Sequence, residues 1–295
     1  MISCAKINLD LNILYRRDDG YHEIRSIFIP LKWGDEIEFF DSDDFVLVST
    51  VSAELPNSND FLQVSENGDI KKNILHKVFT QSKMRGCKKK GVRIILKKNI
   101  PTGGGLGGGS SNAASLLRFL FPNESLEPSE DFLKFASRLG ADIPFFLFGH
   151  PAIIEGIGEK ITPFKIARGS GVLAIPPFGI STRDAFMGLK KPLQEPIHSE
   201  HGRYPSSDLE DTLIKGKWKN LNGLVKNDFE PITLKSFPEL VRLKDFMYEV
   251  GMEFVTMTGS GSTFFGLSSE VFKIKEFVSI LKIKFPNFYF VPFEF

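Results

Sequence analysis

A chain of 295 residues, 42% hydrophobic, with 37 Lys+Arg against 36 Asp+Glu and two cysteines, has the length for two domains and needs no disulfide or metal staple. Balanced charge argues against a dedicated nucleic-acid binder, which concentrates basic residues on one face. No apolar stretch approaches the roughly 20 residues of a membrane helix, and Met1-Ile2-Ser3-Cys4-Ala5-Lys6 lacks the charged and apolar regions of a signal peptide. The expectation is a cytoplasmic enzyme with Cys4 and Cys87 as reduced thiols.

Ile7 to Ile13 alternates apolar and polar residues, the period of a half-buried strand. Asp18-Asp19-Gly20 marks a turn, and strand-like runs follow at Ile24–Leu31, Glu36–Phe40 and Phe45–Thr50. Asn73–Met84 reads as a helix ended near Gly86, Lys88-Lys89-Lys90 as a solvated turn, and Val92–Leu96 as a strand. Ala113, Leu116, Leu117 and Leu120 then fall on one helix face, and Phe132, Phe135, Ala136 and Leu139 on another, with Ser129 placed to cap its start and Gly140 its end. Residues 188–217, rich in Pro, Ser, His and Gly, read as a long loop. Helix Pro238–Val250, strand Phe254–Met257, turn Thr258–Ser262, strand Thr263–Leu267, helix Val271–Lys284 and strand Phe288–Val291 close the chain. That αββαβ order suits an antiparallel sheet with helices on one face, an α+β layer. The 29 phenylalanines read as core filling. His76, His150, His198 and His201 form no metal-ligand pattern.

The most informative segment is Pro101-Thr102-Gly103-Gly104-Gly105-Leu106-Gly107-Gly108-Gly109-Ser110-Ser111, with six glycines in seven positions between a strand and an amphipathic helix. Missing Cβ atoms let the backbone approach a bulky anion and adopt positive φ. The helix that follows offers unpaired N–H groups and the positive end of its dipole. Ser110 and Ser111 add hydroxyl donors, or oxygen ligands for a phosphate-bound magnesium. Phosphate binding is the natural reading; a flexible linker would not be flanked so tightly. Gly103, Gly105 and Gly108 satisfy G-x-G-x-x-G, but a dinucleotide domain wants an acidic residue at the end of a second parallel strand about 20 positions on. Glu124, Glu127 and Asp131 lie instead in a loop and a helix start. The Walker pattern fails at its lysine, replaced by Ser110.

This loop, of the type Pro-x-x-x-Gly-Leu-Gly-Ser-Ser, resembles that of the GHMP kinases. Three further segments are similar to motifs of that family: Ala5-Lys6-Ile7-Asn8-Leu9 with Gly20-Tyr21-His22, Leu139-Gly140-Ala141-Asp142-Ile143-Pro144, and Thr258-Gly259-Ser260-Gly261-Ser262. Together they run from residue 5 to about 267. The resemblance is to the branch of the family that acts on a cytidine-bearing small molecule. It implies an α+β fold of two domains, 1–158 with a ribosomal S5 domain 2-like architecture and 159–295 ferredoxin-like, with ATP and substrate in the cleft between them. It also implies transfer of the ATP γ-phosphate to a substrate hydroxyl, with Mg2+ accompanying the nucleotide, in a monomer or homodimer needing no nucleic acid or membrane.

Residue by residue, Asp142 matches the family's catalytic aspartate, and its place before Ile143-Pro144 reads equally as a helix cap. Lys6 matches the active-site lysine, although a lysine on a strand is ordinarily solvated. Tyr21 and His22 match the pair that holds the cytosine; alone they would be a turn aromatic and a surface histidine. Asn8, Phe28, Thr182 and Phe186 are further substrate candidates, Asn73 a candidate for the ATP base and Lys98 for its phosphates, unless Lys98 is a solvated strand end. The turn at Gly259 and Gly261 reads either as the cleft floor or as a plain hairpin. Cys4 departs from the proline common before Ala-Lys, and residues 188–217 align with no pattern. The rival readings are a GHMP kinase for mevalonate, a sugar or homoserine, a nucleotide binder without turnover, and an oxidoreductase.

Overall fold

A computed structural model describes residues 1–55, 70–189 and 204–295. In chain order the strands and helices of the first half are β1 (Ile2–Arg16), β2 (His22–Ser42), β3 (Phe45–Val51), α1 (Ile74–Met84), β4 (Gly91–Lys98), α2 (Gly108–Leu120), α3 (Pro122–Leu126), α4 (Glu130–Leu139), α5 (Ile143–Phe148), β5 (Ala152–Gly156) and β6 (Lys160–Pro163). The second half holds β7 (Ser170–Ile175), α6 (Thr182–Gly188), α7 (Ser207–Lys215), α8 (Glu230–Ser236), α9 (Pro238–Glu249), β8 (Phe254–Met257), β9 (Phe264–Ser268), α10 (Ile274–Lys284) and β10 (Tyr289–Glu294).

Two sheets organise the molecule. The first runs β3-β4-β2-β5-β6, with β1 paired to β2 antiparallel over nearly its whole length. The second is antiparallel in the order β10-β7-β9-β8. Side-chain alternation explains how both faces of the second sheet are used. Val172 and Ala174 of β7 pack toward Leu240, Leu243 and Met247 of α9 and Phe277 and Leu281 of α10. Leu173 and Ile175 face the other way, into a core shared with Ala5, Ile7 and Leu9 of β1. The helices α1, α2, α4 and α5 cover the first sheet over a third core.

The αββαβ run at the C-terminal end folds as the layer expected of it. Two expectations are corrected. The strand runs at Ile24–Leu31 and Glu36–Phe40 are one continuous strand, because Gly34 keeps the ladder by lying against Cys4, where a Cβ would sit 2.1 Å from the Ser3 carbonyl oxygen. Residues 188–217 are not all loop: Ser206 accepts from the Leu209 amide at 3.3 Å and starts α7. Leu209 and Leu213 of that helix are buried, and Gly216, at φ 65°, ends it. His198 and His201 lie outside the described residues. Among the described residues no helix is long and apolar enough to cross a membrane.

The sheets are tied at the places that matter for the cleft. The Leu11 amide donates to the Lys226 carbonyl at 2.8 Å, and Leu11 accepts from the Asp228 amide at 3.0 Å. Asn227 donates to the carbonyls of Met257 and Gly259, at 2.8 and 2.9 Å, and so fixes the turn that begins at Thr258.

Candidate active site

A cleft of about 1490 Å³ opens where the two sheets meet. The structure brings to it Lys6, Asn8, Tyr21, His22, Phe28, Asn73, Lys98, the whole stretch from Pro101 to Ser110, Asp142, Thr182 and Phe186. Ser111 is the exception. Its hydroxyl is buried and accepts from Ser3 Oγ at 2.8 Å, because one turn into α2 the helix has rotated it toward β1. A magnesium role therefore does not fit Ser111, and Ser110 is the serine that reaches the cleft.

The glycines of the loop are used for their shape. Gly103, Gly105 and Gly107 have φ of 74°, 75° and 72°. A Cβ on Gly105 would lie 2.3 Å from the Thr258 carbonyl oxygen, so the loop is pressed onto the turn of the second sheet. Gly107 occupies the N-cap of α2 without a side chain to cap it, leaving the first-turn amides without intrahelical partners. Those donors, beside the positive end of the helix dipole, are the kind of arrangement that suits an anion. Gly105→Ala is expected to cost about 1–2 kcal/mol of stability from the left-handed backbone alone. It should also weaken nucleotide binding as Thr258 is pushed away. Thermal unfolding and a nucleotide titration check this, and two unchanged values would mean that the loop tolerates the methyl group.

Lys6 is not a solvated strand lysine. Ala5, Ile7 and Leu9 turn into the core between the sheets, so strand alternation turns Lys6 and Asn8 to the opposite face, beneath the glycine loop. Lys6 is 3% exposed, donates to Asn8 Oδ1, and holds its ammonium 4.6 Å from the Phe28 ring centroid. Its backbone amide donates to the Leu106 carbonyl at 3.0 Å, which ties strand to loop. Asn8 is fully engaged: its amide nitrogen donates to Ser26 Oγ at 3.0 Å, and its backbone N–H to Thr258 Oγ1 at 2.9 Å. Burial pulls the Lys6 pKa below the ordinary lysine range, and the charge of Asp142 acts in the opposite direction.

Asp142 stands at the N-cap position of α5, yet its backbone is helical (φ −84°, ψ −8°) and its side chain caps nothing. Among the described residues no cation lies within 4 Å of its carboxylate. The plain helix-cap reading is thereby removed, and a half-buried carboxylate is left facing the cleft near a buried ammonium.

At one end of the cleft His22 stacks on Phe186, with ring centroids 4.6 Å apart and planes 24° from parallel. Tyr21, 60% exposed, stands at the rim, its amide held by Asp19 Oδ1 at 3.0 Å. Thr182 and Ser260 share a hydrogen bond of 2.9 Å between their hydroxyls, joining α6 to the Thr258 turn. At the other end Asn73 caps α1 by accepting from the Leu75 amide at 2.9 Å. Asn73 shares the cleft lining with an apolar wall of Leu47, Leu75, Leu96 and Ile100. Lys98 lines the same wall and pairs with the buried carboxylate of Asp35, so it is not a solvated strand end. Sequence reasoning missed Asp35, and also Arg16 and Arg183, which line the cleft on the His22 side. The two arginines belong to no motif: Arg16 stands in the run Arg16-Arg17-Asp18-Asp19, and Arg183 beside Asp184.

Comparison with known proteins gives concordant matches. The family model for the GHMP kinases N terminal domain matches residues 71–150, and that for GHMP kinases C terminal matches 209–287. A 4-diphosphocytidyl-2-C-methyl-D-erythritol kinase of Leptospira interrogans is 42% identical over 297 residues, covering 100% of both chains. A crystal structure of 4-(cytidine 5'-diphospho)-2C-methyl-D-erythritol kinase superposes with a TM-score of 0.74 at 27% identity, covering 100% of this chain and 98% of the other. A mevalonate kinase of L. major superposes at 0.67 with 14% identity over 99% and 94% of the two chains, a likeness of fold alone.

Proposed function

The chain belongs to the GHMP kinases, and from that premise we infer that it phosphorylates the 2-hydroxyl of 4-diphosphocytidyl-2-C-methyl-D-erythritol with ATP, a step of non-mevalonate isoprenoid precursor synthesis. The observation that carries the inference is the meeting of Asp142 and Lys6 at the wall of one cleft, beside the open amides of the glycine loop.

Phosphoryl transfer needs position and charge more than covalent help. The loop amides from Gly103 to Ser110, with Lys98, hold the phosphates of ATP, and the wall of Leu47, Leu75, Leu96 and Ile100, with Asn73, receives its base and sugar. The Asp142 carboxylate takes the proton of the substrate hydroxyl as the oxygen attacks. The Lys6 ammonium, fixed by Asn8 over Phe28, stabilises negative charge on that oxygen and on the transferred group. Magnesium fits as an ion carried by the nucleotide. No cluster of three His, Cys, Asp or Glu that could cage a metal occurs among the described residues, which suits an ion held largely by phosphates. Ser110 and Asp142, both in the lining, are oxygen donors that would hold it, and the ion would neutralise charge on the phosphoryl oxygens. The working division is a phosphate-loop domain of 1–158 and a second domain of 159–295, in a cytoplasmic monomer or homodimer.

The His22–Phe186 stack supports a cytosine ring over mevalonate, a sugar or homoserine, which have no flat ring to place there. Tyr21→Ala and Phe186→Ala should each raise KM for the cytidyl substrate by about 5- to 150-fold, the 1–3 kcal/mol of a base–aromatic stack, with KM for ATP nearly unchanged. A coupled assay of ADP release with the cytidyl substrate and a panel of mevalonate, galactose and homoserine tests the assignment. Turnover with the cytidyl compound alone is expected; turnover only with another member of the panel would overturn it. The same steady-state assay on both variants reads the KM shifts.

A further inference from the structure

We propose that Asp35, which lies outside the cleft, is a positioning residue for ATP: it clamps both ends of the phosphate loop and orients Lys98. This rests on the kinase reading above and adds to it a residue that no motif contains.

The carboxylate is fully buried and is the meeting point of three segments. One oxygen, Oδ1, accepts the backbone amides of Asn99 and Ile100 at 2.7 and 2.8 Å, the two residues by which β4 runs into the loop. The other, Oδ2, accepts the Lys98 ammonium and the Asn112 side-chain amide, the latter at 2.9 Å from the first turns of α2. The loop from Pro101 to Gly107 is thus closed at both ends by one side chain. The four glycines of that stretch have no side chains with which to pack, and their backbone freedom is the largest of any residue. The shape in which their amides face the phosphates must therefore be imposed from the ends, from the Thr258 turn, and by the Lys6 and Ile180 amides that donate to the carbonyls of Leu106 and Gly103. The Asn112 side chain depends on the clamp, since its own carbonyl oxygen is buried with no partner among the described residues. Lys98, which would otherwise sweep a wide arc, is held at the cleft wall by the same carboxylate.

Asp35→Asn separates the two halves of the clamp. An amide at 35 can still present its oxygen to Asn99 and Ile100, but its NH2 then faces two further donors, Lys98 and Asn112. Nucleotide affinity is read by titration calorimetry with a non-hydrolysable ATP analogue, independently of turnover, so failure of the kinase assay leaves this test standing. Asp35→Asn is expected to weaken the analogue about 10-fold while the affinity for the cytidyl substrate stays within about twofold. Adding Asn112→Asp to it exchanges the partners, lets the amide at 35 donate to the carboxylate at 112, and should recover most of the loss. If Asp35→Asn does not fold, Asn112→Ala alone carries the test, since it opens one end of the loop and leaves Asp35 three donors. The same selective loss supports the clamp. Unchanged ATP affinity, a loss shared equally by both ligands, or a double exchange without recovery would overturn it.

Discussion

Asp142→Asn should lower kcat by about 10²–10⁴-fold, or 3–5 kcal/mol, with KM for both substrates nearly unchanged. The size follows from the role: a group that accepts a proton only as the oxygen attacks contributes to the transition state and not to binding. The substitution is a clean probe because the carboxylate makes no cap bond, so nothing in the start of α5 depends on its charge. Asn keeps the volume and the polarity and removes the basicity together with the negative charge. The measurement is steady-state ADP release alongside thermal unfolding. A folded Asp142→Asn enzyme with wild-type kcat would remove Asp142 from the chemistry. A fall in kcat accompanied by a matching rise in the cytidyl KM would make it a binding group instead.

How much of this was legible beforehand depends on the range of the interactions concerned. The glycine loop could be read because the need for positive φ and close approach is written in residue type at each position. Ser129 as a cap and the apolar face of α2 were likewise local matters. The gap between the runs ending at Leu31 and starting at Glu36 closes only in the structure, where Gly34 lies against Cys4 of the neighbouring β1. The helix at Ser207–Lys215 hid in a polar run, its two buried leucines too few to signal a face. Ser110 and Ser111 are adjacent and chemically alike, and only the turn of the helix separates the one in the cleft from the one against Ser3. Asp35 was invisible for a related reason. A carboxylate before Glu36 on a strand looks like surface until the chain brings Asn99 and Asn112 to it from 64 and 77 residues away.

Lys6→Met is the second substitution with a large expected effect, and it should act on rate and on stability in opposite directions. Loss of a preorganised cation at the developing charge is expected to cost about 10²–10³-fold in kcat. Stability follows from linkage. Burial lowers the pKa of Lys6 in the folded protein, whereas in the unfolded chain the lysine titrates near about 10.4. Between those two values the unfolded state binds more protons, so stability rises as pH rises through that window, and below it the buried charge is a constant cost. Methionine has nearly the same length and no charge, so Lys6→Met should be at least as stable as the wild type at neutral pH and should lack the alkaline rise. Urea unfolding of both proteins at several pH values between 7 and 10.5 makes the comparison. Parallel curves would mean that Lys6 is not the buried cation of this site. Asp142→Asn gives the reciprocal check, for it removes the charge that favours the ammonium. In that variant the lysine should titrate lower still, and the window should open at a lower pH. A site that selects for rate has thus kept a lysine where packing alone would favour methionine.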